Sequence, residues 1–249
     1  LLISYTAPFY LFALGALFVI FLITKQKSPP ITKTKDDFKK ISLFDNRVWP
    51  FLIVSASFGI CNAALVQTSS FYFQDVIDPN STNFIALASV GFMLSALGIL
   101  NGQLLIADRL QTSPGSLIRL GILFIFFSLL GVANSTSLVH IYISLFFYGL
   151  GGGMLGPGIS ASLSLSVGKE NQGSASGFLG MVIPVGHVIS PIISMPLYTI
   201  NPSYPYLLGS FLMLFCFIFV LSNRRHKWIR KKNYRKDYET YTEEPSDLP

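Results

Sequence analysis

The sequence predicts an all-α membrane protein with seven transmembrane helices. Charged residues make up only 12% of the 249, against 51% hydrophobic, while a water-soluble domain carries about 25% charge. The mean hydropathy is +0.55. Apolar runs of about 18 residues or more recur along the chain, long enough to cross a hydrocarbon core at about 1.5 Å per residue. Lys and Arg cluster at 25–47 and 224–236, outside those runs. A net charge of +6 distributed in that way fits a cytoplasmic membrane face rather than a nucleic-acid partner.

The expected spans are 4–24, 49–73, 84–106, 117–134, 139–165, 174–199 and 204–222. The first is followed by a basic connection over 25–48, with Lys25, Lys27, Lys33, Lys35, Lys39, Lys40 and Arg47. The next connection, Asp75–Asn83, has no base; Arg109 and Arg119 follow, then none in Asn134–Leu138, then Lys169, then none in Ile200–Ser203. Threading the chain seven times puts every Lys and Arg on one side, which the positive-inside rule makes the cytoplasm. Residues 223–249 are basic and then acidic with no apolar run, and read as a mostly disordered cytoplasmic tail. Phe71, Tyr72, Tyr142, Tyr198, Tyr204 and Tyr206 fall near the other boundary, where aromatic rings favour the interface. Cys61 and Cys216 lie in apolar runs and read as small core residues.

Polar residues inside lipid-spanning segments are costly and therefore point to function. Two stripes in the second span compete for a central cavity: Ser55, Asn62 and Ser69, or Gln67, Ser70 and Gln74. The second is preferred because its amides offer donors and acceptors to a bound solute. Tyr148, Asn101 and Gln103 are further cavity candidates. His187, deep in the sixth span, is either a proton relay or a neutral histidine bonded to an adjacent helix, as its neighbours favour. Gly91, Ser95, Gly98 and Gly102 share one face of the third span, and Gly173, Gly177, Gly180, Pro184, His187 and Pro191 one face of the sixth. Small side chains let helices approach closely. Gly152, Gly156 and Pro157 add close approach and a kink in the fifth. These surfaces either pack tightly or slide and bend during alternating access.

Local sequence resembles the major facilitator superfamily. Ala7-Pro8-Phe9-Tyr10 is similar to the start of helix six in tetracycline-efflux-like drug:proton antiporters. Gly149-Leu150-Gly151-Gly152-Gly153 with Gly156-Pro157 resembles helix ten, and Gln172-Gly173-x-Ala175-x-Gly177 with Gly186 and Pro191 resembles helix eleven. The resemblance implies the C-terminal half of that fold plus the preceding helix: 1–24 as helix six, 25–48 as the central cytoplasmic loop, 49–222 as a six-helix bundle, and 223–249 as the tail. Asp108-Arg109 keeps part of the family's inner-loop motif, which lacks its glycine and further bases here. It is either that loop's conformational device or an ordinary helix end.

The resemblance further implies a secondary transporter, with proton-coupled efflux of a small molecule as the leading expectation and metabolite uptake as the alternative. The expected partners are the solute, protons, the lipid bilayer and an N-terminal half of the same transporter. The chain opens at Leu1 without Met, and no acid falls in the seven runs, so the proton-binding carboxylate is expected in that half. The expected location is a multi-pass one in the plasma membrane, the inner membrane if bacterial. An enzyme is disfavoured, because His140, His187 and His226 lie in separate regions and make no catalytic or metal-ligating set; no metal or cofactor is expected. A seven-span receptor or scaffold is the non-transport alternative.

Overall fold

The computed structural model describes residues 7–25, 41–80, 82–108, 113–167 and 171–222. Most of the basic connection, Arg109, Lys169 and the tail lie outside these residues, as does the side chain of Asp108. The described residues form seven helices and no strand: α1 (Ala7–Lys25), α2 (Trp49–Tyr72), α3 (Phe84–Asp108), α4 (Pro114–Ala133), α5 (Leu138–Ser166), α6 (Gln172–Ile200) and α7 (Tyr204–Ser222). Helices α2 to α7 are long and apolar enough to cross a bilayer. In α1 the qualifying apolar stretch is the shorter Phe12–Lys25.

The chain divides into two compact units, Leu1–Phe38 and Lys39–Pro249. The first contains α1, whose last turn is closed by Thr24 Oγ1 donating to the Phe21 carbonyl at 2.9 Å. Lys25 Nζ sits 4.5 Å from the centre of the Phe21 ring.

The second unit contains the other six helices. Helix α2 follows a turn in which the Val48 and Trp49 amides donate to the Asp45 carbonyl, and Pro50 occupies the first turn, where its missing N–H costs nothing. Pro114 opens α4 in the same way, and the Ser137 hydroxyl caps α5 by accepting from the His140 amide. Beyond Tyr72, α2 does not stop. It continues as a π-helical turn, Phe73–Ile77, so the membrane-crossing helix runs from Trp49 to Ile77. Asp75 therefore lies on a helical extension of the second span, past its expected limit at 73, and not in the connecting loop that the sequence suggested.

Packing follows the small residues. Helix α5 lies between α3 and α4, α4 packs on α7, α7 on α2, and α2 on α6. The expected stripe on α3 does face another helix: a Cβ at Gly98 would collide with the Phe146 carbonyl oxygen of α5, and one at Gly102 would lie 2.7 Å from that of Leu150. From the other side, a Cβ at Gly149 would strike the Ser95 carbonyl and one at Gly153 that of Ile99. Gly151 turns to α4, its Cβ position 2.8 Å from the Gly121 carbonyl oxygen. The closely spaced glycines of α5 thus serve two neighbours at once, by the backbone contact that replaces the hydrophobic effect in lipid.

Side-chain hydrogen bonds across helices add to this. Ser128 Oγ donates to the Ser144 carbonyl at 2.5 Å, and Tyr142 to that of Leu87 at 3.2 Å. Tyr72 and Tyr206 stand edge to face, 5.0 Å between centroids, and Thr68 Oγ1 shares a 2.9 Å hydrogen bond with the Tyr206 hydroxyl. Both tyrosines are buried. They are core anchors joining α2 and α7, and each hydroxyl finds a protein partner. Cys61 and Cys216 are buried and unbonded to each other.

Candidate functional site

Helices α2 and α5 face each other with little direct contact. The side chains that reach across are Phe58 and Asn62 from α2 and Tyr148 from α5. The Phe58 and Tyr148 rings stack at 6.2 Å with a 24° angle between planes. The Tyr148 hydroxyl donates to Asn62 Oδ1 at 3.5 Å, a long bond. Gly152, one turn beyond Tyr148, leaves room for the Phe58 ring, whose Cζ would be 3.5 Å from a Cβ there. Tyr148 is 4% exposed while Asn62 and Phe58 are half-buried. Accepting the phenol proton orients the Asn62 amide and leaves its Nδ2 as a donor. The result is an aromatic wall with one oriented amide and no formal charge, suited to an uncharged, partly aromatic or hydrogen-bonding group.

The structure brings Asn62 and Tyr148 together and sets Gln67, Ser70 and Gln74 apart from them. Gln67 lies on the row Gly59, Ala63, Gln67, Phe71. Its two ends meet α6: a Cβ on Gly59 would lie 2.9 Å from the Ile183 carbonyl oxygen, and Phe71 pairs with the Tyr198 ring. Ser70 is half-buried and Gln74 exposed within the π turn. Of the two stripes in α2, the geometry gives the α5-facing place to Asn62. Sequence periodicity alone does not reveal the neighbour of each face. Phe58 carries the available signal, one helical turn before Asn62.

Asn101 is exposed and its Nδ2 donates to its own helix at Leu97, 2.8 Å; Gln103 is exposed as well.

The small-residue stripe expected on α6 is not the packed face within this chain. A Cβ at Gly173, Gly177 or Gly180 would have nothing within 4 Å of it, and Pro184 and His187 are exposed. The packed row is Gly186, Ser190 and Ser194, all buried. A Cβ at Gly186 would lie 2.7 Å from the Gly59 carbonyl carbon, and Ser190 donates to the Ile60 carbonyl at 3.1 Å. Pro191 is half-buried beside it. His187 places Nδ1 3.1 Å from the Ile183 carbonyl oxygen of its own helix, and among the described residues it makes no bond to an adjacent helix. In α5, Gly156 and Pro157 are exposed, with open space around Gly156; close approach is supplied by Gly149, Gly151 and Gly153 instead. The reason is the same in both helices: a glycine stripe states that a close neighbour can fit, not that this chain supplies it.

At the far end of α2, Tyr198 of α6 donates to Asp75 Oδ2 at 2.8 Å. At the other end, Ser166 of α5 donates to the Arg47 carbonyl at 3.0 Å, and Arg47 pairs with Asp45 at 2.9 Å. The side-chain and backbone hydrogen bonds from Arg47 hold the Asp45 carboxyl below its ordinary value. Among the described residues no group of three or more His, Cys, Asp or Glu is placed to hold a metal.

Residues 105–244, more than half of the chain, match the family described as the Major Facilitator Superfamily. No curated protein matches. Among solved structures, the POT family transporter PepTSo is similar at a TM-score of 0.62 and 18% identity, over 72% of this chain and 37% of its own. A POT family transporter in complex with a thioalcohol-conjugated peptide gives 0.62 and 19%, over 78% and 43%. A mutant of the peptide transporter POT in complex with sulfate gives 0.62 and 13%, over 78% and 42%. The chain thus spans about two-fifths of those transporters' length, and at such identities the likeness speaks for fold alone.

Proposed function

The chain belongs to the Major Facilitator Superfamily, and on that premise we propose that it forms the C-terminal part of a secondary transporter that exports a small molecule in exchange for protons. The observation that carries the reading is the uncharged Phe58–Asn62–Tyr148 site between α2 and α5. It sits on two helices that meet sparsely, where a solute can pass between them. We assign α1 to helix six of the family and 25–48 to the central loop. On this reading α2–α7 within 49–222 are helices seven to twelve, and 223–249 is the tail. The basic connection and tail face the cytoplasm of a plasma-membrane protein, by the placement of Lys and Arg in the sequence.

Export rather than uptake is supported by the resemblance of Ala7-Pro8-Phe9-Tyr10 to drug:proton antiporters and by a site with no charge to hold a zwitterionic nutrient. The carboxylate within the described spans, Asp75, is already engaged at a helix end by Tyr198. We therefore assign proton binding to a carboxylate of the N-terminal half. Asp108-Arg109, Gly156-Pro157 and the exposed Gly173–Gly177 face of α6 are assigned to the conformational cycle, the last as a surface for that half.

The test is flux in proteoliposomes of the full-length protein, with and without an imposed pH gradient, using neutral aromatic solutes, cationic drugs and dipeptides. Gradient-driven movement of an aromatic solute against the proton flow supports the proposal. Co-directional uptake of solute with protons contradicts the export reading. Tyr148→Phe and Asn62→Ala are expected to raise KM about five- to tenfold, the worth of about one hydrogen bond.

A further inference from the structure

Helices α2 and α6 run side by side in a matched register. A Cβ at Gly186 would meet the Gly59 backbone, and twelve residues further along each helix Phe71 meets Tyr198, 6.3 Å between ring centroids. Equal steps from one contact to the other pair Ala63 with Ser190 and Gln67 with Ser194. The first of these levels is closed: Ala63 is fully buried, and the Ser190 hydroxyl is spent on the Ile60 carbonyl. The second is different. Gln67 Oε1 and Ser194 Oγ are both buried, and neither has a hydrogen-bond partner among the described residues. Ser194 is only 3% exposed. An unmet polar atom is costly in a hydrocarbon setting, where no bulk water answers it, and these two fall at one level of one seam.

We propose that a single water molecule binds between α2 and α6 at this level, donating to Gln67 Oε1 and accepting from the Ser194 hydroxyl. One water supplies what both atoms lack, an O–H for the amide oxygen and an acceptor for the serine. A metal ion does not fit: two neutral oxygens are too few ligands, and the carboxylate above them, Asp75, is held by Tyr198. The seam is then dry and backbone-tight at Gly59–Gly186 and water-bridged about two turns further toward Asp75. The water is a part of the contact and not a filler.

Thermal unfolding of the full-length protein in lipid nanodiscs tests this with Gln67→Leu, Ser194→Ala and the double variant. The bridge predicts that each single change lowers Tm by about 3 °C or more, since each strands the other group. The double variant should lose no more than the worse single. Additive losses overturn the proposal. A structure of the full-length protein at a resolution that shows ordered water decides independently of those variants. An ordered water bonded to both atoms upholds the bridge, and a direct bond from Ser194 Oγ to Gln67 Oε1 overturns it.

Discussion

Tyr198 reaches from the end of α6 to donate a 2.8 Å hydrogen bond to Asp75 Oδ2 in the π turn of α2. The π turn makes that bond possible. Its wider i→i+5 loop, with the Asp78 amide donating to the Phe73 carbonyl at 3.0 Å, carries the helix past Tyr72 and turns Asp75 toward α6. The Phe71 ring packs against the same tyrosine, so α2 and α6 are clasped at this end by a polar and an aromatic contact together.

If that clasp is structural, Tyr198→Phe removes about 1 kcal/mol of stability and leaves transport coupling intact. Asp75→Asn, which keeps an acceptor for the phenol, is expected to retain proton-driven flux at normal expression. Loss of the pH dependence of flux in Asp75→Asn, with folding preserved, would place the coupling carboxylate on α2 and overturn the proposal that an N-terminal half supplies it.

The glycines of α5 divide sharply by position. Gly149→Ala is expected to abolish or severely reduce folded protein, because its Cβ would strike the Ser95 backbone of α3 and neither helix can yield. Gly156→Ala meets open space and gains helix propensity worth up to about 1 kcal/mol. Solubilised yield and Tm of the two variants, measured side by side, should differ in opposite directions from the parent.

His187 is exposed and, among the described residues, bonded only to its own helix at Ile183. His187→Ala should therefore leave both Tm and proton-driven flux unchanged. A collapse of coupling at normal expression would make it a proton relay after all.

The Asp45–Arg47 pair gives a pH effect of defined sign. Arg47 holds the folded-state Asp45 carboxyl below its unfolded value, so its stabilisation is fully present above the unfolded value and is lost as pH falls through the folded one. Because Arg47 is 54% exposed, the contribution is at most about 0.5 kcal/mol. Asp45→Asn should lower Tm slightly at pH 7 and not at all in strong acid.

Hydropathy marks the spans well because lipid imposes length and polarity directly. The run expected at 204–222 is α7 to the residue, and α3 to α6 depart from the expected limits by three residues or fewer at either end. Side-chain neighbours are a different matter. Glycine spacing on α3 marks a packed face, whereas on α6 the same signal falls at Gly173, Gly177 and Gly180, where a Cβ would have nothing within 4 Å among the described residues. Two polar stripes on α2 are visible in the sequence, but only the position of α5 shows that Asn62, and not Gln67, meets Tyr148. The π turn has no sequence signature of its own, so from sequence Asp75 reads as a loop residue.

The proposed solute path requires the Asn62–Tyr148 face of α2 and α5 to open in turn to each side of the membrane. Asn62→Cys in the full-length protein with its other cysteines replaced by serine or alanine, treated with a membrane-impermeant thiol reagent from either side, reads that opening at one position; within this chain Cys61 and Cys216 are buried. Labelling is expected from both sides, with protection from each by the transported solute. A cysteine at position 62 that reacts from neither side, in a protein that still transports, would contradict a solute path along this face.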